Sequence, residues 1–289
     1  MKDTRIISPK TQLCALIGNP VGHSLSPTIH NAAFAATEQD FVYVAHAVED
    51  VKSALAGMRA LGNFRGMSVT IPHKIEVMDC VDEISEMDRA IGSINTVIND
   101  NGKLTGLGTD GPGALKALLD ASVKLDGAKV LMLGCGGAAR AIAFTLAYRC
   151  KLTELILLDI DQPTLQGLSA DLQSKTEVTV DAALMSDQTL AEAMAKADVI
   201  IHCTPIGMHP KEDASLVPPE LFRSGQTVFD VVYNPLQTKL LKQAEAAGLK
   251  TISGVEMFIN QAVLQFEQFT GVDAPLETMR QVVMEQLQG

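Results

Sequence analysis

Val130-Leu131-Met132-Leu133-Gly134-Cys135-Gly136-Gly137-Ala138-Ala139 decides how this chain folds. Four apolar residues in a row read as a buried strand, the glycines as a turn, and the run to about residue 149 as a helix. That order is the fingerprint of a dinucleotide-binding βαβ unit, in the form Gly-x-Gly-x-x-Ala. Gly134 permits the tight turn and Gly136 lets the backbone approach a pyrophosphate. Ala139 keeps the helix close to the strand. The N–H groups opening the helix, at Gly137 and Ala138, face the anion together with the positive end of the helix dipole. A glycine turn that merely packs a helix is the alternative. Against it stands Asp159, which ends the next strand twenty residues beyond Ala139 and matches the acid that binds ribose hydroxyls. A carboxylate there repels a 2′-phosphate, and no arginine lies in Leu158-Asp159-Ile160-Asp161-Gln162 to neutralise one. The expected cofactor is therefore NAD, with NADP possible because Arg140 lies close by on the helix.

Outward from that loop, strands at 155–159, 178–180, 198–202 and 227–231 and a helix at 162–174 continue a parallel series. Ahead of it, Leu13–Gly18, Phe41–Ala45, Gly66–Val69 and Ile94–Ile98 read as strands. Helices are expected at about 27–37, 50–61 and 73–90. Alternation of this kind predicts an α/β protein with mainly parallel sheets. From Gly254 onward the strand pattern stops. Phe258, Ile259, Ala262, Val263 and Phe266 recur at helical spacing, as do Leu276, Met279, Val283 and Leu287. The expected architecture is an N-terminal α/β substrate domain, residues 1–110, completed by C-terminal helices at 255–289. A doubly wound parallel-sheet domain of the Rossmann type occupies 111–254.

The 289 residues allow two domains at roughly 150 residues each. Arginine and lysine number 23 against 34 acidic residues, a net charge of −11, which is the wrong sign for binding a phosphate backbone and predicts no nucleic-acid partner. No apolar stretch approaches the roughly 18 residues of a membrane span. The charged opening Met1-Lys2-Asp3-Thr4-Arg5, followed by only a short apolar segment, predicts no signal peptide. Cys14, Cys80, Cys135, Cys150 and Cys203 form no framework and suit reduced thiols in a cytoplasmic protein. The six histidines lack ligand spacing, so no metal is expected.

Three clusters in the first 110 residues remain. Gly18-Asn19-Pro20-Val21-Gly22-His23-Ser24-Leu25-Ser26-Pro27 places two hydroxyls ahead of a helix, where they are also candidates to cap it. Ser68-Val69-Thr70-Ile71-Pro72-His73-Lys74 ends a strand with a hydroxyl and then a lysine. Gly92-Ser93-Ile94-Asn95-Thr96 and Gly108-Thr109-Asp110-Gly111 add an amide and a carboxylate. All fall at the carboxyl ends of strands, where open α/β sheets bind ligands. Hydroxyls, an amide and an acid together suit a small polyhydroxylated molecule. His23 and His73 read as surface or packing residues, and Met257 and Phe258 read first as core.

These motifs, in this order, resemble the shikimate dehydrogenase family, including its quinate/shikimate branch. The likeness covers nearly the whole chain: Asn-Pro-x-x-His-Ser-x-Ser-Pro, Val-Thr-x-Pro-x-Lys, Asn-Thr and Thr-Asp-Gly, then the glycine loop. Thr204-Pro205-Ile206-Gly207-Met208, Asp230-Val231-Val232-Tyr233-Asn234-Pro235 and Gly254-Val255-Glu256-Met257 ahead of Gln261 follow. By that resemblance Lys74 is catalytic and paired with Asp110. Ser24, Ser26, Thr70, Asn95, Tyr233 and Gln261 contact the substrate. Thr204, Val231, Gly254 and Met257 join Gly134, Gly136, Gly137, Ala138 and Asp159 in binding the dinucleotide. The implied reaction is NAD(P)-dependent hydride transfer between a ring carbinol and its ketone, with shikimate or quinate as substrate, in aromatic amino acid biosynthesis. The implied assembly is a monomer or homodimer.

The chain also departs from the family pattern. Ser68, Gly108 and His202 each stand where asparagine is usual, and Asp159-Ile160-Asp161 replaces the Asn-Arg-Thr of NADP-dependent members. Ser68 and Gly108 lie in the substrate motifs, which keeps open a related dehydrogenase acting on another cyclic hydroxy or amino acid. A non-catalytic dinucleotide-binding regulator is a further alternative, opposed by the retention of Lys74 and Asp110.

Overall fold

The computed structural model describes residues 6–288. Met1–Arg5, on which the reading of the N-terminus rested, lie outside the described residues. The chain divides into two units: Met1–Thr109 with Gln261–Gly289, and Asp110–Asn260. Asp110, taken from the sequence as the end of the first domain, is the first residue of the second unit.

In chain order the first stretch runs β1 (Gln12–Gly18), α1 (Ser26–Ala36), β2 (Phe41–Ala47), α2 (Val51–Arg59), β3 (Phe64–Val69), β4 (Glu83–Ile84), α3 (Glu86–Ile91), β5 (Thr96–Asp100) and β6 (Lys103–Leu107). Its six strands are ordered β2-β1-β3-β5-β6-β4. The sheet is mixed rather than parallel throughout. β5 runs antiparallel to β3, and an Asn101-Gly102 turn closes a tight hairpin that makes β6 antiparallel to β5. One face of the sheet packs Ala15, Ile17, Phe64, Met67 and Val97 against Val51 and Leu55 of α2.

The single helix expected at 73–90 does not form. The segment breaks into a 3₁₀ turn (Glu76–Cys80), β4 and α3. Asp82 exchanges hydrogen bonds with Leu104, its N–H reaching the Leu104 carbonyl at 2.8 Å and its carboxylate accepting the Leu104 N–H at 2.7 Å. That pairing seats β4 beside β6, and Ser85 then caps a new helix by accepting the Asp88 N–H. Edge pairing and a cap outweigh the helical period here.

The second unit runs α4 (Asp110–Asp120), β7 (Lys129–Leu133), α5 (Gly137–Arg149), β8 (Glu154–Asp159), α6 (Gln162–Lys175), β9 (Val180–Leu184), α7 (Asp187–Lys196), β10 (Val199–His202), β11 (Thr227–Asp230), α8 (Lys239–Ala246) and β12 (Lys250–Ser253). The strand expected at 178–180 starts where that range ends. All six strands are parallel, in the order β12-β11-β10-β7-β8-β9. Numbered within the unit this is 6-5-4-1-2-3, the doubly wound order of the Rossmann fold. The order reverses between β7 and β10, and ligands of such sheets bind in the crevice at that switch point. Leu131, Leu133, Ile156, Leu158 and Ile200 are fully buried against Leu190, Met194 and Leu241, as expected for strands covered on both faces.

Two helices close the chain, α9 (Gly254–Thr270) and α10 (Leu276–Gln288). From Gln261 onward they belong to the first unit, where Phe266 and Phe269 are buried with Phe34 and Tyr43. Arg65 of β3 fastens this packing. Its Nε donates to the Phe269 carbonyl at 2.8 Å and its Nη2 to the Gln268 carbonyl at 3.0 Å, filling acceptors at the end of α9. No helix among the described residues is long and apolar enough to cross a membrane.

Candidate active site

In the first unit the candidate substrate residues sit after β1 and β3 and on α9, except Asn95, which immediately precedes β5 rather than ending a strand. Ser24 and Ser26 meet: the Ser24 hydroxyl lies 3.2 Å from Ser26 Oγ and accepts the Ser26 N–H. The N-cap of α1 is Leu25, which makes no side-chain cap, so Ser24 supplies the acceptor for the first N–H of the helix. The capping expected of these serines is thus met by Ser24 alone, and Ser26 is a buried first-turn residue. Thr70 and Lys74 lie in the turn that leaves β3, and the Lys74 carbonyl accepts the Ile94 N–H at 2.9 Å, tying that turn to the segment that carries Asn95 into β5. His73, 3% exposed, hydrogen-bonds the Val48 carbonyl through Nε2 at 2.7 Å, and His23 is exposed.

Asn95 and Gln261 converge on Thr109. The Thr109 N–H donates to Asn95 Oδ1 at 2.7 Å, Asn95 Nδ2 donates to Thr109 Oγ1 at 3.0 Å, and Thr109 Oγ1 lies 3.5 Å from Gln261 Oε1. Thr109 belongs to the quoted Thr-Asp-Gly motif but carried no role from sequence. Behind it stands Gln265, one helical turn beyond Gln261, donating from Nε2 to Thr96 and Thr109. That i, i+4 spacing is the signal that marks it.

Two departures from the family pattern acquire structural partners. Ser68 is buried; it accepts the Tyr43 phenol proton at 2.7 Å and donates to Gln265 at 2.8 Å. Gly108 donates its N–H to Asp88 Oδ1 at 3.1 Å, and a Cβ there would stand 2.7 Å from the same oxygen. Burial pushes the Asp88 carboxyl above its ordinary range, against the hydrogen bonds from Ser85 and Gly108.

The second unit carries the glycine loop at the switch point. Gly134, with φ of +94°, holds a left-handed conformation, and a Cβ on it would meet Thr204 Cγ2 at 2.8 Å. Glycine at 134 is thus required both by the turn and by the strand-end loop beside it. Gly136 is the N-cap of α5 and no side chain caps it; a Cβ on Gly136 or Gly137 would meet nothing within 4 Å. Ala139 is fully buried between helix and sheet.

Asp159 braces this loop. Its Oδ2 accepts the Cys135 N–H at 2.6 Å and its Oδ1 accepts the Asp161 N–H at 2.9 Å. Each carboxylate oxygen accepts two hydrogen bonds, so both retain capacity for a hydroxyl. Uncapped helix N–H groups, an open glycine face and this carboxylate fit the pyrophosphate and ribose of a dinucleotide. Arg140 does not stand ready for a 2′-phosphate: it forms an ion pair with Asp171 and lies 5.1 Å over the Phe144 ring.

Across the switch point, His202 links Thr204 to Asp230. The imidazole Nδ1 is 2.9 Å from Asp230 Oδ1, and Nε2 hydrogen-bonds Thr204 Oγ1. Asp230 also accepts the Val232 N–H at 3.0 Å and the Thr238 hydroxyl at 2.6 Å. Val231 and Gly254 meet closely, since a Cβ on Gly254 would collide with the Val231 carbonyl oxygen. Tyr233 stacks on Phe258 at 5.1 Å, and burial raises the pKa of its phenol. Met257 is buried and Asp110 opens α4. From sequence His202 stood only as a departure from the family pattern and Asp230 only as part of a motif, neither with a role, and Thr238 carried no signal at all.

The family description "Shikimate dehydrogenase substrate binding domain" matches residues 16–97, and "Shikimate 5'-dehydrogenase C-terminal domain" matches residues 254–284. A shikimate dehydrogenase (NADP(+)) of Methanosarcina mazei is 41% identical over 96% of this chain and 99% of its own length. The chain belongs to the shikimate dehydrogenase family. Among solved structures of the family, the shikimate 5-dehydrogenase from Listeria monocytogenes in complex with shikimate and NAD is 34% identical. It superposes with a TM-score of 0.91 over 97% of this chain and 99% of that one. Quinate dehydrogenase from Corynebacterium glutamicum in complex with NAD is 30% identical, with a TM-score of 0.88 over 95% of this chain and 99% of that one. The shikimate dehydrogenase architecture therefore extends across both units, the glycine loop included.

Proposed function

We infer that this chain is a nicotinamide-dinucleotide-dependent shikimate dehydrogenase that interconverts a ring carbinol and its ketone, with NAD the preferred cofactor. The observation that carries the reading is 41% identity across nearly the whole chain to a shikimate dehydrogenase, with Lys74, Asp110 and the glycine loop all retained. The dinucleotide, when bound, supplies the hydride acceptor and donor. Gly134, Gly136, Gly137 and Ala138 would hold its pyrophosphate, Asp159 its ribose hydroxyls, and Thr204, Val231, Gly254 and Met257 its nicotinamide half.

The protein's own task is to hold the ring and manage one proton. Ser24, Ser26, Thr70, Asn95, Tyr233 and Gln261 would bind the carboxylate and hydroxyls of the substrate. The Lys74 ammonium donates to the oxygen that becomes the alcohol, and the amine takes the proton back in the reverse direction. Asp110 would orient that ammonium and offset its charge.

The preference for NAD follows from Asp159 and from the commitment of Arg140 to Asp171. A 2′-phosphate would meet a carboxylate without a cation beside it. Quinate is the second substrate to weigh, given the likeness to an NAD-complexed quinate dehydrogenase. The thiols, all unpaired, support a cytoplasmic location. Formation of reduced cofactor, followed by absorbance with shikimate and with quinate under NAD and then NADP, tests the reading. Turnover of shikimate with NAD is expected. No turnover of either acid with either cofactor would refute the assignment, and a preference for NADP would refute the role given to Asp159.

A further inference from the structure

Behind the candidate substrate residues the first unit contains a continuous buried chain of polar side chains. It begins at Tyr43 of β2. Tyr43 donates to Ser68 and Ser68 donates to Gln265 Oε1. From the other end of the same amide, Nε2 donates to Thr96 Oγ1 at 3.0 Å and to Thr109 Oγ1 at 3.3 Å. Tyr43, Ser68, Thr96, Thr109 and Gln265 are each at most 4% exposed, so water does not compete for these bonds.

The chain has a direction, and one backbone group sets it. The Thr109 N–H can only donate, so the atom it reaches on Asn95 is the carbonyl oxygen. Thr96, also reaching that oxygen at 3.2 Å, must donate to it and hence accept from Gln265. Thr109 Oγ1 receives N–H groups from both Asn95 and Gln265, which fills its lone pairs. Its proton then points at a carbonyl oxygen, that of Asn95 at 3.2 Å or Gln261 at 3.5 Å. The Asn95 carbonyl is held on the Thr109 side by the backbone N–H, and the Gln261 carbonyl faces the same hydroxyl.

We propose that Tyr43, Ser68 and Gln265 are positioning residues that preset Asn95 and Gln261 as hydrogen-bond donors, so that the substrate oxygens met there must act as acceptors. This rests on the reading of Asn95 and Gln261 as substrate contacts. The site then discriminates by polarity as well as by shape. A ring hydroxyl or ketone oxygen is accepted, and a group that can only donate at that point, such as an ammonium, is refused because two donors would face each other.

Gln265→Met keeps the side-chain length and removes both ends of the amide. Steady-state kinetics should show KM for shikimate raised about tenfold, the loss of one to two buried hydrogen bonds, with kcat within about twofold. NADH affinity, followed by its fluorescence, should stay at the parental value. Deoxy analogues, each lacking one ring hydroxyl, supply a readout that a merely structural role would not move. The parent should discriminate against the analogue lacking the hydroxyl met by these amides, and Gln265→Met should lose most of that discrimination. Tyr43→Phe, which removes one hydroxyl without changing the ring, should shift KM the same way by about threefold, and it carries the test if Gln265→Met does not fold. Parental KM and parental discrimination in a folded variant would overturn the proposal. An Asn95→Ala variant with unchanged KM would remove instead the substrate-contact reading beneath it.

Discussion

Acid should weaken the first unit through one residue, His30. Its ring is fully buried, stacked on Tyr43 at a centroid distance of 4.5 Å, and hydrogen-bonded through Nε2 to Gln265 Oε1 at 3.4 Å. Nδ1 has no hydrogen-bond partner. A protonated ring would place a second N–H in that apolar surround with nothing to receive it. Burial therefore lowers the pKa from 6.5 to about 4, with the Gln265 hydrogen bond opposing. The unfolded chain binds the proton below about pH 6.5 while the folded chain resists until about pH 4, so stability present at neutral pH is lost as pH falls through that window. At 1.36 kcal/mol per unit the full loss is about 3 kcal/mol, of which about 2 kcal/mol is gone by pH 5. Amide hydrogen exchange in β1 and β3 reports the opening free energy of this unit. Measured at pH 7 and pH 5 it should fall by about 2 kcal/mol more in the parent than in His30→Phe, which keeps the stack but cannot titrate. An equal fall in both proteins would refute the reasoning.

Three further outcomes follow from the site. Lys74→Ala should lower kcat by about 10²–10⁴ with a much smaller change in KM; near-parental turnover would take the proton from Lys74. Asp159→Ala should narrow the preference for NAD, and it should also loosen the glycine loop, since the Cys135 and Asp161 N–H groups lose their acceptor. Comparing kcat/KM for both cofactors against NADH affinity separates the two effects. Gly134→Ala places a methyl group 2.8 Å from Thr204 Cγ2 and strains a φ of +94°. It should therefore weaken dinucleotide binding more than shikimate binding, read by NADH fluorescence and by KM; equal weakening would argue against a local effect.

The second unit was largely legible in the sequence because its signals are local. A buried apolar run, a glycine turn and an acid twenty residues on lie within one βαβ unit, and β7, α5, β8 and α6 occur where their patterns placed them. α7 and α8 were not singled out from sequence, although Ser186 and Thr238 cap them, because a lone serine or threonine is too common to mark a helix start. In the first unit the errors came from non-local pairing. Nothing near residue 82 announces that its backbone will pair with Leu104, so a helical period over 73–90 prevailed on paper. The candidate site divides the same way. Ser24, Lys74, Asn95 and Asp110 stood out because they sit in compact motifs. Tyr43 with Ser68, Ser68 with Gln265, and His202 with Asp230 meet across 25, 197 and 28 residues of chain, so no local pattern joins them.

The Arg65 clasp on the end of α9 has a consequence for how the protein is made. Residues Gln261–Gly289 complete the unit that begins at the N-terminus, and Arg65 reaches 204 positions ahead to grip Phe269. On the ribosome, the nucleotide-binding half emerges whole and is able to fold while the first hundred residues still wait with their aromatic face uncovered. Residues 6–109 thus precede the nucleotide-binding unit in synthesis yet gain their aromatic cover only after α9, with Phe266 and Phe269, has emerged.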